Sequence, residues 1–258
     1  MISIVMSYSN RKYQLENTLK SIKKSKHENY EIIIVDDASK DEHRIEDLRE
    51  KYNFNLIRID EKDKYWVNPC IPYNMAIEQA KGDIIIIQNP ECYHYDDVLS
   101  FAQTNVNDSN YFSFAVYSLD QFNTMNCFDA ISVSEYDSLY STFNHQMYMG
   151  EGSASWYNHR TICPKGYHFC SAISAKNIKE LGGFDPVYVN GIGYDDDDLI
   201  FRIQEKKLEI YIPDRPLVLH QWHYTEHFRD RSDVQKLCQI NNEIYRAKFH
   251  SIFNKIRI

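Results

Sequence analysis

Glu31-Ile-Ile-Ile-Val35, which runs into Asp36-Asp37, and Asp83-Ile-Ile-Ile-Ile87, which runs into Gln88-Asn89, are continuous apolar stretches with no polar alternation. Strands of this kind are buried on both faces, as in a parallel sheet covered by helices. Reading outward, Ile2–Met6 is a further apolar run and Phe54–Ile59 alternates as a strand. Between them lie helical spacings. Leu15, Leu19 and Ile22 fall on one face of Arg11–Ser25, Ile45 and Leu48 mark a second helix, and Met75, Ala76 and Ala80 a third, while Asp96–Phe101 opens a fourth. The expected fold class is α/β, a mostly parallel central sheet built from right-handed βαβ units with helices on both faces. Ligands of such sheets bind at the carboxyl ends of the strands. That rule selects Ser7–Arg11, Asp36–Ser39 and Asn89–His94.

Past residue 105 the alternation weakens. Residues 118–165 are aromatic, polar and irregular, and are expected to be loop with short elements. Tyr167–Ser171 reads as a strand and Ser174–Leu181 as a helix capped by Ser174. Asp197–Lys206 reads as a helix, Tyr211–Ile212 and Leu217–Leu219 as short strands, and Asp233–Phe253 as an amphipathic helix. No repeat or linker interrupts residues 1–258, so one domain is expected, with halves of about 1–104 and 105–258.

Composition narrows the function. The chain has 258 residues with 29 Lys+Arg against 37 Asp+Glu, a net charge of −8 that disfavours nucleic-acid binding by a basic surface. No apolar run reaches the ~18 residues of a membrane span, and Met1-Ile-Ser-Ile-Val-Met6 reads as a strand rather than a signal peptide. Cys70, Cys92, Cys127, Cys163, Cys170 and Cys238 show no metal-type spacing and are expected to be reduced thiols in a cytoplasmic protein. The basic residues Arg11, Lys12, Lys20, Lys23, Lys24 and Lys26 sit on or beside one short helix and read mostly as its solvated face, with a peripheral membrane patch as the lesser alternative.

Several constellations carry potential chemistry. Asp36 and Asp37 end a strand, where a carboxylate either accepts hydrogen bonds from a base or ribose or caps the next helix. Asn89-Pro90-Glu91 ends another, where oxygen donors suit a divalent cation bridging two phosphates, or simply make a turn. Gly182-Gly-Phe-Asp-Pro186 precedes Gly191-Ile-Gly-Tyr-Asp-Asp-Asp-Asp198 and Arg202. Four adjacent carboxylates raise one another's pKa, which suits a general base, although acidic residues also favour a helix N-terminus. His220 and His223 bracket Trp222 near a strand end and offer imidazole to the same cation. Trp156, Tyr157 and His168 combine rings with polar tips, which fits sugar stacking or a plain aromatic core.

Taken in order, these segments resemble family 2 nucleotide-sugar glycosyltransferases of the GT-A, Rossmann-like fold. Ser3–Arg11 resembles the family's first strand and loop, Val35-Asp-Asp-Ala-Ser39 its VDDxS signature, and Asn74 to Asp83 the approach to its metal-binding strand. Gly182-Gly-Phe-Asp185 and Tyr194–Leu199 with Arg202 resemble its GGFDE and EDxDLxxR pair. The resemblance implies a nucleotide-binding first half and an acceptor and catalytic second half. It implies inverting transfer from a UDP-sugar to a glycan or other hydroxyl acceptor, with Asp196, or Asp195 in its place, as the base. It assigns Ser7, Tyr8, Asn10, Asp36, Asp37, Asn74 and Asn89 to the donor, and Trp156, Tyr157 and His168 to the sugars. Glu91 with His220, or His223 as the alternate, would hold Mn²⁺ or Mg²⁺, although the usual DxD lacks its first acid here. A nucleotide-sugar-binding module that has lost transfer activity and a nucleotidyltransferase are the other readings; the absence of glycine in Ser7–Arg11 weighs against the second.

Overall fold

The computed structural model describes residues 1–126, 154–223 and 231–253. The elements in chain order are β1 (Ile2–Tyr8), α1 (Lys12–Ile22), β2 (Tyr30–Asp37), α2 (Glu46–Tyr52), β3 (Asn55–Ile59), α3 (Cys70–Gln79), β4 (Ile84–Gln88), β5 (Cys92–His94), α4 (Val98–Asn105), β6 (Asn110–Ser113), β7 (Ala115–Ser118) and α5 (Gln121–Asn126). After residues 127–153, which lie outside the description, follow β8 (Ser155–Asn158), β9 (Cys170–Ser174), α6 (Ala175–Glu180), α7 (Asp195–Glu205), β10 (Glu209–Tyr211), β11 (Leu217–His220) and α8 (Arg231–Phe253).

A seven-stranded sheet in the order β10-β6-β9-β4-β1-β2-β3 forms the centre. β4, β1, β2 and β3 are parallel neighbours, and β9 runs antiparallel between β4 and β6. Side-chain alternation sorts these strands into two cores. Ile4, Met6, Tyr8, Ile32, Ile34 and Ile86 pack on one face with Leu15 and Leu19 of α1 and Leu99 of α4. Val5, Ile33, Val35, Ile85 and Ile87 pack on the other with Tyr73 and Ala76 of α3, Ile178 of α6 and Leu199 and Ile203 of α7. The α/β sheet covered on both faces is therefore as the sequence implies.

A second sheet is not signalled by the sequence pattern. β5, β11, β7 and β8 form it, with Tyr117, Trp156, Leu217 and Leu219 in its own small core. Of its strands the sequence marks β11, expected at Leu217–Leu219; β5, β7 and β8 have three or four residues, too short for alternation to mark them, and β6 goes unmarked for the same reason. The expected strand at Tyr167–Ser171 begins three residues later, at Cys170. The Ser174 hydroxyl does cap α6, accepting from the Asn177 N–H at 3.2 Å. α7 starts at Asp195, two residues before the expected Asp197, because the acidic run occupies its first turn, where the helix dipole favours negative charge. Among the described residues no helix is long and apolar enough to cross a membrane.

The Gly182-Gly183 turn joins α6 to the loop before α7. Asn74 of α3 holds it, donating to the Phe184 carbonyl at 2.7 Å and accepting from the Phe184 N–H at 2.8 Å. Gly183 has φ +67°, and a Cβ there would lie 2.3 Å from Asn74 Oδ1. Gly183→Ala is expected to lower stability by at least ~1 kcal/mol, read as a lower denaturation midpoint with an unchanged slope.

Candidate active site

A cleft of about 580 Å³ opens at the carboxyl ends of β1, β2 and β4. Ser7, Ser9, Arg11, Asp37, Asn89 and Glu91 line it from the first half of the chain, and Tyr157, His168, Asp195, Asp196, His220 and His223 from the second. Of the expected site residues, Ser7, Asp37, Asn89, Glu91, Tyr157, His168, Asp195, Asp196, His220 and His223 come together here.

Tyr8, Asn10, Asp36, Asn74 and Trp156 do not line the cleft, and each has a structural reason. Ser7 and Asp37 share the strand faces of Val5 and Val35, toward α3 and the cleft, whereas Tyr8 and Asp36 alternate to the α1 face. There the Tyr8 hydroxyl donates to the His43 carbonyl at 2.6 Å. Asp36 accepts from the Ser39 N–H at 2.9 Å and from Arg58, its neighbour on β3, at 2.6 Å. Asn10 sits in the left-handed region and its side chain accepts from the Lys40 N–H. Asn74 is the clasp on the glycine turn. Trp156 is 2% exposed and packs edge-on against Tyr117.

One wall gathers carboxylates at the start of α7. Asp196 accepts on the same oxygen from the His168 backbone N–H, at 3.1 Å, and from the His168 ring Nδ1. That leaves its second oxygen for another partner. The side chain of Asp196 is 20% exposed, while residue Asp195 is 5% exposed and accepts from Asn68 Nδ2 at 2.8 Å. The other two carboxylates of the run point elsewhere. Asp197 accepts from the Tyr167 hydroxyl at 2.7 Å, and Asp198 from Arg202 Nε at 2.6 Å and from Lys248 of α8. α8 also holds the preceding loop, because Asn241 donates to the Tyr188 and Gly193 carbonyls at 3.0 and 2.9 Å.

Burial, reinforced by the charge on Asp196, raises Asp195 to about 6. Burial alone would lower the His168 pKa, but the adjoining Asp196 carboxylate raises it. Because the folded state holds the Asp195 proton more tightly than the unfolded chain does, stability falls as pH rises from 3.8 to about 6. Asp195→Asn keeps an oxygen for Asn68 and carries no charge. It is expected to be at least as stable as the parent near about pH 8, with the advantage gone below about pH 4, read as Tm against pH for both proteins.

The opposite wall holds Glu91, 1% exposed, beside two imidazoles. His220 Nε2 lies 3.2 Å and His223 Nε2 3.6 Å from Glu91 Oε1, and the ligand atoms of the three residues lie within 4.8 Å of one another. One carboxylate and two imidazoles form a donor set that suits Mn²⁺ better than Mg²⁺, which prefers oxygen. His220 Nδ1 is buried without a hydrogen-bond partner among the described residues, so no contact there fixes its tautomer, while Nε2 faces Glu91. His220 itself is delivered by β11 of the small sheet, and the Glu91 carbonyl accepts from the Gln221 N–H at 3.1 Å.

The sequence pattern gives no sign of the role of Arg11. Its Nη1 lies 2.9 Å from both oxygens of Glu91. Burial would raise the pKa of Glu91, but Arg11 and then the two histidines hold it well below the usual carboxylate range. Arg11 is thus the resident counter-ion of the candidate metal ligand, rather than part of a solvated helix face. Arg11→Gln is expected to cost roughly 3 kcal/mol at neutral pH by stranding a buried charge, with Mn²⁺ restoring part of the lost Tm.

Comparison with known proteins agrees with this geometry. The profile described as Glycosyl transferase family 2 matches residues 3–169. The chain belongs to glycosyltransferase family 2. No curated protein sequence matches this family 2 chain. Among solved structures, S. aureus TarS 1-349 in complex with UDP-GlcNAc superposes with a TM-score of 0.62 at 14% identity, over 93% of this chain and 65% of that one. The mannosyltransferase PcManGT from Pyrobaculum calidifontis, in complex with GDP-Man and Mn²⁺, gives 0.55 at 14% identity, over 95% and 69%. A longer S. aureus TarS structure gives 0.58 at 15% identity, over 96% of this chain and 43% of that one. At such identities the likeness establishes the shared GT-A fold, and the family 2 chain spans less than two thirds of the TarS chains.

Proposed function

We propose that the cleft transfers a sugar from a UDP-sugar to an acceptor hydroxyl with inversion, Asp196 taking the acceptor proton. The observation that carries this reading is the Asp196 carboxylate, fixed on one oxygen by His168 and left with the other facing the cleft, across from Glu91 and the two histidines. A base held in one orientation contributes roughly 10² to 10⁴-fold to such a proton transfer. Asp195 is the less suited of the pair because it is more deeply buried and engaged by Asn68.

Ser7 and Asp37 are the chain's own groups for the nucleoside, Asp37 being held by Lys64 Nζ and Trp66 Nε1 at 2.9 Å each. Tyr157 packs on His220 with ring centres 4.5 Å apart and offers an aromatic wall to a sugar. Glu91, His220 and His223 would hold a divalent cation, which supplies positive charge to the leaving diphosphate. Arg11 carries a fixed positive charge at the same place, so a donor site that works without metal is the specific alternative. Of the five described cysteines, Cys70, Cys92, Cys163 and Cys170 are buried free thiols and Cys238 is a half-buried one, in keeping with a reducing cytoplasmic setting.

Two measurements test this. Thermal unfolding with UDP, GDP and CMP, each with and without Mn²⁺, is expected to show the largest rise for UDP with Mn²⁺, about 2.7 kcal/mol of stabilisation at ~100 times Kd. A UDP shift indifferent to Mn²⁺ favours Arg11 as the cation, and a preference for GDP or CMP overturns the donor assignment. Asp196→Asn is expected to abolish transfer with UDP affinity within about twofold of the parent; a collapse of UDP binding would make Asp196 a binding residue.

A further inference from the structure

A second concavity of about 370 Å³ lies against the last turn of α1, and none of its lining residues lines the cleft. α1 runs from the carboxyl end of β1 back toward the amino end of β2, so this turn sits away from the donor site. Lys20, Lys23 and Lys24 project from it, and Lys51 joins them from the end of α2. Elsewhere in this acidic chain Lys12, Lys64, Lys176, Lys206 and Lys248 each have a carboxylate oxygen within 3.1 Å. Lys20, Lys23 and Lys24 make no ion pair among the described residues, and the hollow's nearest acid, Glu16, is taken by Lys51 at 2.7 Å.

The other two walls are tyrosines that hold lysines in place. The Lys24 ammonium donates to the Tyr93 hydroxyl at 3.0 Å and lies 5.6 Å from that ring's centre. Lys51 lies 5.2 Å from the Tyr52 ring centre. The negative end of the α1 dipole accounts for lysines in its last turn. It does not account for Lys51, which arrives from another helix, nor for a concave arrangement that gathers four ammonium groups around one carboxylate, Glu16.

We propose that this hollow is a second binding site, for a phosphate group. A phosphate dianion presents several acceptor oxygens to ammonium donors approaching from different directions, and lysine binds it as a mobile point charge. Lys24 and Lys51, steadied by tyrosine, form the fixed side, and Lys20 and Lys23 close over the anion from the other. A soluble phosphorylated compound and a phosphate-bearing lipid headgroup present this same chemistry.

The test follows backbone amide NMR signals of the full chain while inorganic phosphate is added, for the parent and for K20Q/K23Q. These two lysines make no ion pair, so the variant is expected to keep the parent Tm. The parent should show saturable shifts confined to residues 17–24, 51–52 and 93, and the variant should bind about tenfold more weakly, with both affinities falling as salt rises. Sedimentation with phosphatidylcholine vesicles, with and without phosphatidic acid, separates the sources. Retention on the phosphatidic acid vesicles that K20Q/K23Q loses assigns the site to a headgroup, and phosphate binding without retention assigns it to a soluble ligand. The absence of saturable shifts at the hollow, or equal affinity in the variant, overturns the proposal.

Discussion

The central strands are buried on both faces, and that single constraint confines the chemistry to their ends. Ile32, Ile34 and Ile86 turn to one core while Val5, Val35 and Ile87 turn to the other, so the middles of β1, β2 and β4 are apolar. The first polar positions past the cores, Ser7, Asp37, Asn89 and Glu91, are therefore brought to one rim. Because β9 runs antiparallel beside β4, the residues before it, His168 and Phe169, arrive at the same rim from the opposite direction. The small sheet then adds His220 from a third direction.

Charge is managed differently on the two walls. Glu91 is kept ionised by a guanidinium and two imidazoles, so it remains ready to meet a cation at any physiological pH. Asp195 is desolvated beside a like charge and holds its proton more tightly. The same cleft thus pairs a wall on which Glu91 stays ionised against the Arg11 guanidinium with one on which Asp195 holds its proton more tightly. Asp198, equally buried, is neutralised by Arg202 and Lys248 and anchors the turn instead.

Much of this arrangement could be read from the chain. The Ile/Val runs signal the sheet, and the acidic and glycine-rich turn signals the carboxylate wall of the cleft. Alternation along β1 and β2 also separates Ser7 from Tyr8 and Asp37 from Asp36, yet a motif treated as a loop hides that parity. What could not be read depends on distant pairing. Arg11 meets Glu91 across 80 residues, and Asn68 meets Asp195 across 127, with nothing in either neighbourhood to announce the partner. The partners of β11 in the small sheet stay hidden because the three- and four-residue strands β5, β7 and β8 gain their stability from one another rather than from any local pattern.

The grip of α8 on the acidic turn has a consequence for biogenesis. Asn241 and Lys248 follow their partners Gly193 and Asp198 by 48 and 50 residues. A ribosome delivers the four crowded aspartates well before it delivers the groups that hold their loop, and during that interval only Arg202, four residues on, is at hand to offset Asp198. The central sheet can form first, while the hold of α8 on the acidic turn comes later. A nascent chain of this protein passes through a stage in which its central sheet is folded but its acidic turn is not yet held.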